Sequence, residues 1–160
     1  MVHVGIGYDV HALVAGRKLI LGGVELSHSK GLEGHSDADV LMHAICDAIL
    51  GAMGEPDIGH FFPNTDPRWY GAASKVFLQE AARLLTLRTG KLVNIDATVI
   101  AQAPKIYPHI PKMKFYIAEA LGINQQRVGI KATTNELLGF IGREEGIAAM
   151  AVASIDLPLS

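Results

Sequence analysis

Hydrophobic and polar residues alternate at the start of the chain. Val2, Val4 and Ile6 fall on one face of an extended segment and His3, Gly5 and Gly7 on the other, predicting a strand over 2–9. Apolar residues then flank a Gly22-Gly23 pair, over 18–21 and 24–26. Adjacent glycines supply the positive φ of a tight turn, so this segment predicts a β-hairpin. The period changes next. Val40, Leu41, Ala44, Ile45, Ala48, Ile49 and Ala52 recur at helical spacing. Ser36, with Asp39 three positions on, suits the cap of that helix, and Gly54 and Pro56 suit its end. Two further helices are predicted, over 73–88 and from Pro111 to Gly122. Strands are predicted over 93–101, 127–132 and 147–156, the first followed by a loop stiffened by Pro104, Pro108 and Pro111.

Helices and strands interleave without a regular βαβ repeat. The expected class is α+β: a mixed β-sheet with helices packed on one face. No repeat, low-complexity tract or linker interrupts the chain, so residues 1–160 are expected to form a single domain. The segment 146–157 is apolar on both faces, the mark of a strand covered on two sides. Helices account for one cover. A neighbouring subunit is expected as the other, against the plainer alternative of a strand at the centre of the chain's own core.

Composition narrows the field of functions. Apolar residues are 49% and charged ones 19% of the chain, ordinary for a globular protein. The formal charge of −2, with no block of Lys and Arg, argues against a nucleic-acid surface. A polyanionic small substrate would need local help from a metal, a lysine or backbone amides. Cys46 is the only cysteine, so no internal disulfide forms; set in an apolar helical pattern, it is expected to pack rather than react. Residues 1–5 lack signal-peptide features, and no apolar run approaches the roughly 20 residues that span a bilayer. The expected location is the cytoplasm, or a plastid-type organelle if a transit peptide has been removed.

Candidate chemistry gathers in a few segments. Asp9 and His11 are two apart at the end of the first strand, so both project to one face. Such a pair offers a two-ligand bite for a divalent metal, although a simple Asp–His hydrogen bond uses the same spacing. His43 sits off the centre of the helical stripe, between Asp39 and Asp47 one turn away, which are candidates to fix its tautomer. Two histidines and a carboxylate match a catalytic zinc site with an open fourth position; a surface histidine paired with either aspartate is the alternative. His35 and Ser36 precede a helix start, where backbone N–H groups favour phosphate. His3, His28, His60 and His109 show no ligand spacing and are expected in solvent or loop roles. The loop 101–108 is rigid and centred on Lys105. Ala132, Thr133, Thr134, Asn135 and Glu136 offer hydroxyls and a carboxylate suited to phosphate and Mg²⁺, or alternatively a helix cap with Thr133 and Glu136 at capping-box spacing.

Five dispersed motifs together are more specific than any of these alone. G-Y-D-V-H at 7–11, G-H-S-D-A-D-V-L-M-H-A at 34–44, D-I-G-H-F-F-P-N-T-D-P at 57–67, I-A-Q-A-P-K at 100–105 and K-A-T-T-N-E-L-L-G-F-I-G-R-E-E-G-I-A at 131–148 occur in order. They resemble the 2-C-methyl-D-erythritol 2,4-cyclodiphosphate synthase family. The resemblance implies a divalent metal, usually zinc, at Asp9, His11 and His43. It implies transition-state stabilisation by His35 and Thr134, and substrate contact at Val10 and Ser36. Ala101, Gln102, Ala103, Pro104, Lys105, Ile106 and Tyr107 would hold the cytidine. Asp57, Ile58 and Gly59 would lie near the ribose, and Phe62, Pro63, Asn64, Thr65 and Asp66 would border the methylerythritol. Glu136 would help hold Mg²⁺ or Mn²⁺ between the α- and β-phosphates. Phe140 and Arg143 complete the implied contacts, Arg143 beside a central cavity that takes a phosphate or isoprenoid diphosphate. A homotrimer with active sites between subunits is also implied.

The implied reaction turns 4-diphosphocytidyl-2-C-methyl-D-erythritol 2-phosphate into the cyclic diphosphate and CMP, a step of non-mevalonate isoprenoid precursor synthesis. Three positions depart from the commonest family pattern: Asn64 for Asp, Leu137 for Lys and Glu144 for Gly. The rival readings are a hydrolase using the same metal on a phosphoester, and a non-enzymatic diphosphate-binding module anchored by Arg143.

Overall fold

The computed structural model describes residues 1–158. Its backbone is a five-stranded mixed sheet in the order β4-β1-β7-β5-β6. β1 (Val2–Ala15) pairs antiparallel with β7 (Gly146–Asp156), and β7 with β5 (Lys91–Ile100). β5 pairs parallel with β6 (Val128–Thr133), which makes the sheet mixed, as expected. The glycine turn forms as predicted: β2 (Leu19–Leu21) and β3 (Val24–Leu26) make a hairpin, with φ of 56° at Gly22 and 75° at Gly23.

β1 runs well past the predicted end at Asp9. Ladder bonds join backbone groups and are indifferent to side-chain polarity, so pairing continues through Asp9↔Ala149 and His11↔Ile147. Beyond them Leu13↔Leu32 ties the strand to the short edge strand β4 (Lys30–Leu32). β5 starts two residues earlier than predicted, because a register shift between Leu92 and Asn94 breaks its alternation.

α1 (Val40–Ala52) is the buried centre of the domain, with Val40, Leu41, Ala44, Ile45, Ala48 and Ile49 wholly enclosed. Its cap is Asp39, not Ser36. The Asp39 carboxylate accepts from Met42 N at 3.1 Å and from the turn amides of Gly22 and Gly23 at 2.9 and 2.7 Å. One side chain thus caps the helix and ties down the hairpin. Ser36 Oγ caps only the preceding turn, accepting from Ala38 N at 3.1 Å.

α3 (Lys75–Leu87) packs against α1, and α4 (Ile110–Leu121) against α3 and the edge strand β6; Pro111 lies in the first turn of α4, and Gly122 ends it at φ 66°. Two one-turn helices, α2 (Ile58–Phe61) and α5 (Gly139–Gly142), were not anticipated, being too short to show a period.

All the helical cover lies on one face. Along β1 the odd positions Gly5, Gly7 and Leu13 are buried, whereas Val4, Ile6 and Tyr8 are 65%, 66% and 54% exposed. On β7, Ala149, Ala151 and Ala153 face inward, and Met150 and Val152 lie open on the far side. The doubly apolar last strand is therefore central to the sheet, but covered on one face only within the chain.

Candidate metal centre and active site

Asp9 and His11 share the helix-side face of β1, and the facing turn of α1 carries His43. The approach is close because residues 5 and 7 are glycines. A β-carbon on Gly5 would overlap the Ala48 carbonyl oxygen, and one on Gly7 the Ala44 carbonyl oxygen. Strand and helix backbones therefore touch, and His43 reaches Asp9 and His11 directly.

Three donor atoms converge. Asp9 Oδ2 lies 2.9 Å from His11 Nε2 and 3.0 Å from His43 Nδ1, and the two ring nitrogens are 3.3 Å apart. Ligands about 2.0–2.1 Å from a tetrahedral zinc sit roughly 3.3 Å from one another, so this triangle fits three corners of such a site. Outer contacts orient two of the donors. Val10 N donates to Asp9 Oδ1 at 2.9 Å, leaving Oδ2 to the centre. His11 Nδ1 lies 2.6 Å from the Glu33 carbonyl oxygen. A carbonyl only accepts, so Nδ1 carries the proton and Nε2 turns its lone pair inward.

The electrostatics agree. Burial pushes the Asp9 carboxyl up, but His11 and His43 beside it hold it well below the usual carboxylate range. Burial pulls His11 down, and the Asp9 carboxylate together with the Glu33 carbonyl more than offsets this, leaving it raised. A bound cation would take the place of the protons that these groups otherwise share. The residues present thus fit a divalent ion, and no other group of three or more ligating side chains occurs among the described residues. His3, His28, His60 and His109 stay outside it, as expected.

The sequence reading placed His43's partners at Asp39 and Asp47, and the structure overturns this. Asp39 is committed to the cap, and Asp47 Oδ1 accepts from Ile58 N at 2.8 Å. His43 Nε2 instead lies 2.8 Å from Ser74 Oγ and 3.3 Å from Ser36 Oγ.

A cavity of about 240 Å³ opens beside the trio, lined by His11, Gly34, His35, Ser36, His43, Ile58, Gly59, Phe62, Asn64, Trp69 and Phe77. His35 Nε2 donates to the Asp66 carbonyl oxygen at 3.1 Å, which holds the ring at the wall. Asp57 is the N-cap of α2, accepting from His60 N at 3.2 Å; it does not line the cavity, although Ile58 and Gly59 do. Pro63 and Thr65 are also outside the lining, and the Asp66 carboxylate is engaged by Arg68. Trp69, Phe77 and Ser74 were missed from sequence. The density of aromatics over 61–77, and a serine at a helix start, were the available signals.

A second group lies elsewhere on the same rim of the sheet. Because β5 and β6 are parallel, their following loops emerge side by side, and Ala101 N donates to Thr133 O at 3.0 Å. Gln102 Oε1 accepts from Leu137 N at 3.1 Å, joining the 101–107 loop to the turn after Thr134. Lys105 and Tyr107 are exposed, while Ala101 and Ile106 anchor the loop in the core. Thr134 Oγ1 donates to Glu136 Oε1 at 3.1 Å in an exposed turn, with φ positive at Glu136 and Leu137. No helix starts there, which removes the capping-box alternative. Arg143 pairs with Glu145 at 2.8 Å, and Phe140 lies half-exposed on α5. None of these residues lines the cavity beside the trio. β1 and β6 stand three strand spacings apart, about 14 Å.

Comparison with known proteins identifies the family. The model of the YgbB family matches residues 2–156. The 2-C-methyl-D-erythritol 2,4-cyclodiphosphate synthase of Ralstonia pickettii is 58% identical over 154 residues, covering 96% of this chain and 92% of its own. Among solved structures, the bifunctional IspDF of Campylobacter jejuni superposes with a TM-score of 0.94 at 40% identity; the match covers 99% of this chain and 43% of that longer one. IspF of Plasmodium falciparum, solved as a CDP complex, gives 0.86 at 33% identity, covering 99% and 97%. Matched along almost its whole length in sequence and in fold, the chain belongs to the YgbB family of 2-C-methyl-D-erythritol 2,4-cyclodiphosphate synthases.

Proposed function

We propose that the Asp9–His11–His43 centre and its cavity form half of a cyclase active site, completed by the 101–107 loop and Thr134–Glu136 turn of a neighbouring subunit. The chain is a 2-C-methyl-D-erythritol 2,4-cyclodiphosphate synthase, a CMP-releasing lyase. It converts 4-diphosphocytidyl-2-C-methyl-D-erythritol 2-phosphate to the cyclic diphosphate of the non-mevalonate pathway. An oxygen of the 2-phosphate attacks the β-phosphorus, the bond between that phosphorus and the bridging oxygen breaks, and CMP leaves with the oxygen.

The observation that carries this reading is the triangle of donors 2.9–3.3 Å apart at the edge of a cavity that the cytidine-loop residues do not line. Asp9, His11 and His43 would hold zinc, and Glu136 would share Mg²⁺ or Mn²⁺ with the diphosphate. Divalent cations supply charge neutralisation and polarise the attacked phosphoryl group. The chain's own residues position the substrate. His35 and Ser36 edge the cavity where the phosphates would lie, and Thr134 contributes its hydroxyl from the adjoining copy. Phe62, Trp69 and Phe77 offer an apolar wall for the methyl-bearing carbon chain. No protein nucleophile is needed: Cys46 is fully buried, and burial pushes its thiol well up.

The homotrimer reading is supported by the open sheet face, where Val4, Ile6, Tyr8, Met150 and Val152 form an apolar surface of the kind that marks an interface. The whole chain is taken as one domain, and the cytoplasm as its location. No helix among the described residues is long and apolar enough to cross a membrane. The deciding test is phosphorus NMR with CMP quantification on the purified protein. Cyclic diphosphate and CMP in equal amounts are expected; linear phosphate products would establish a hydrolase instead.

A further inference from the structure

Ser74 occupies the N-cap position of α3 but makes no side-chain cap bond. A serine there ordinarily turns its oxygen to an amide of the first helical turn. This one is fully buried, and its hydroxyl points elsewhere. Ser74 Oγ donates to Asp37 Oδ1 and lies 2.8 Å from His43 Nε2. Its one proton is given to a carboxylate, which can only accept, so toward His43 the hydroxyl presents a lone pair. His43 Nε2 then donates to the hydroxyl, and Nδ1 faces Asp9 Oδ2 at 3.0 Å, where a cation in place of the proton shared with that carboxylate would meet the Nδ1 lone pair.

Asp37 is itself held firmly. Ser74 N donates to Oδ2 at 3.0 Å, Asp39 N donates to Oδ1 at 3.1 Å, and the Asp37 amide is bonded to Ala72 O at 3.0 Å. The loop before α1 and the start of α3 are thereby stapled around one carboxylate. A helix that forgoes its ordinary cap, with the cap's hydroxyl aimed at a ligand histidine, departs from local preference at a functional site.

We infer that Ser74 and Asp37 are positioning residues of the metal centre: an Asp37–Ser74–His43 relay that selects the Nε2–H tautomer of His43 and strengthens Nδ1 as a ligand. The inference rests on the metal reading of Asp9, His11 and His43. Neither residue touches substrate; both act through the His43 ring. Partners of this type commonly change metal affinity 10- to 100-fold when removed.

The test measures zinc affinity of the full chain by competition with a chromophoric chelator, for the unaltered protein and for Ser74→Ala, Asp37→Asn and Ser74→Thr. The thermal midpoint of each metal-free protein is followed alongside, with NMR of the exchange of the His43 Nε2–H with water in the zinc-loaded protein. Ser74→Ala and Asp37→Asn are expected to bind zinc roughly 10- to 100-fold more weakly. Ser74→Thr, which keeps the hydroxyl, is expected to stay near the original affinity. The His43 Nε2–H should be protected from exchange in the unaltered chain, where Ser74 accepts it, and exchange faster in Ser74→Ala. Should Ser74→Ala not fold, Asp37→Asn and Ser74→Thr carry the same comparison. Zinc affinity within about threefold of the original in the folded variants, or unchanged exchange of the His43 Nε2–H, overturns the relay. Absence of stoichiometric zinc in the unaltered chain overturns instead the metal reading beneath it.

Discussion

Gly7 packs against the Ala44 carbonyl oxygen so closely that a β-carbon at position 7 would overlap it. This contact sets the distance between the strand carrying Asp9 and His11 and the helix carrying His43. Gly7→Ala is therefore expected to push α1 away from β1, destabilising the fold by about 1–3 kcal/mol through overpacking. Zinc affinity should fall with it, although no ligand has changed. Denaturant unfolding with chelator competition measures both; a variant with original zinc affinity would show that the contact does not set the site.

Asp9→Ala and His43→Ala each remove one corner of the donor triangle. Both are expected to lose stoichiometric metal and CMP release together. Elemental analysis of the purified variants, paired with the product assay, checks this. Full zinc retention in either would contradict the ligand assignment.

Glu136 lies in the other half of the proposed site, exposed and bonded only locally to Thr134. For Glu136→Gln the expected result is a raised Mg²⁺ concentration for half-maximal rate, with zinc content unchanged. A titration of rate against Mg²⁺ decides it, since an unaltered requirement removes Glu136 from the magnesium site.

Ile6 is 66% exposed at the middle of the open sheet face. Placing a charge there should cost the folded chain little but oppose burial between subunits. Ile6→Arg is expected to shift the sedimentation profile from trimer to monomer and to reduce CMP release, because each active site would lose its second half. A fully active monomer would refute the shared site.

Asp39 supplies a pH dependence. Burial, with the Asp37 charge second, raises its carboxyl from 3.8 to about 6, against the pull of three backbone N–H donors. A raised folded-state value means the folded chain keeps a proton that the unfolded chain has released. The resulting stabilisation is complete below about pH 4 and is lost as the pH rises through about 6. The stability difference between the unaltered chain and Asp39→Asn should accordingly shrink between pH 4 and 7 in urea titrations. A pH-independent difference would show that the three donors win.

Much of this molecule is legible in the order of its residues, wherever the determining contacts are close along the chain. The period of α1, the Gly22-Gly23 hairpin and the Gly122 stop follow from neighbours a few positions apart. The pairing of Asp9 with His11 follows from strand geometry alone, and the choice of His43 from its helical position and the surrounding motif. Tertiary structure decided what depends on contacts far apart in sequence. Asp39, rather than Ser36, caps α1 because the hairpin amides of Gly22 and Gly23 converge on the same carboxylate. His43 turns to Ser74, 31 residues away, rather than to the aspartates one helical turn along. Only the sheet order shows that the 101–107 loop and Glu136 stand three strands from Asp9 and His11, with the apolar face between them uncovered. Hydrogen-bond reach along a helix or strand is written in residue spacing; which distant segments meet is set by how the whole chain buries its apolar surface.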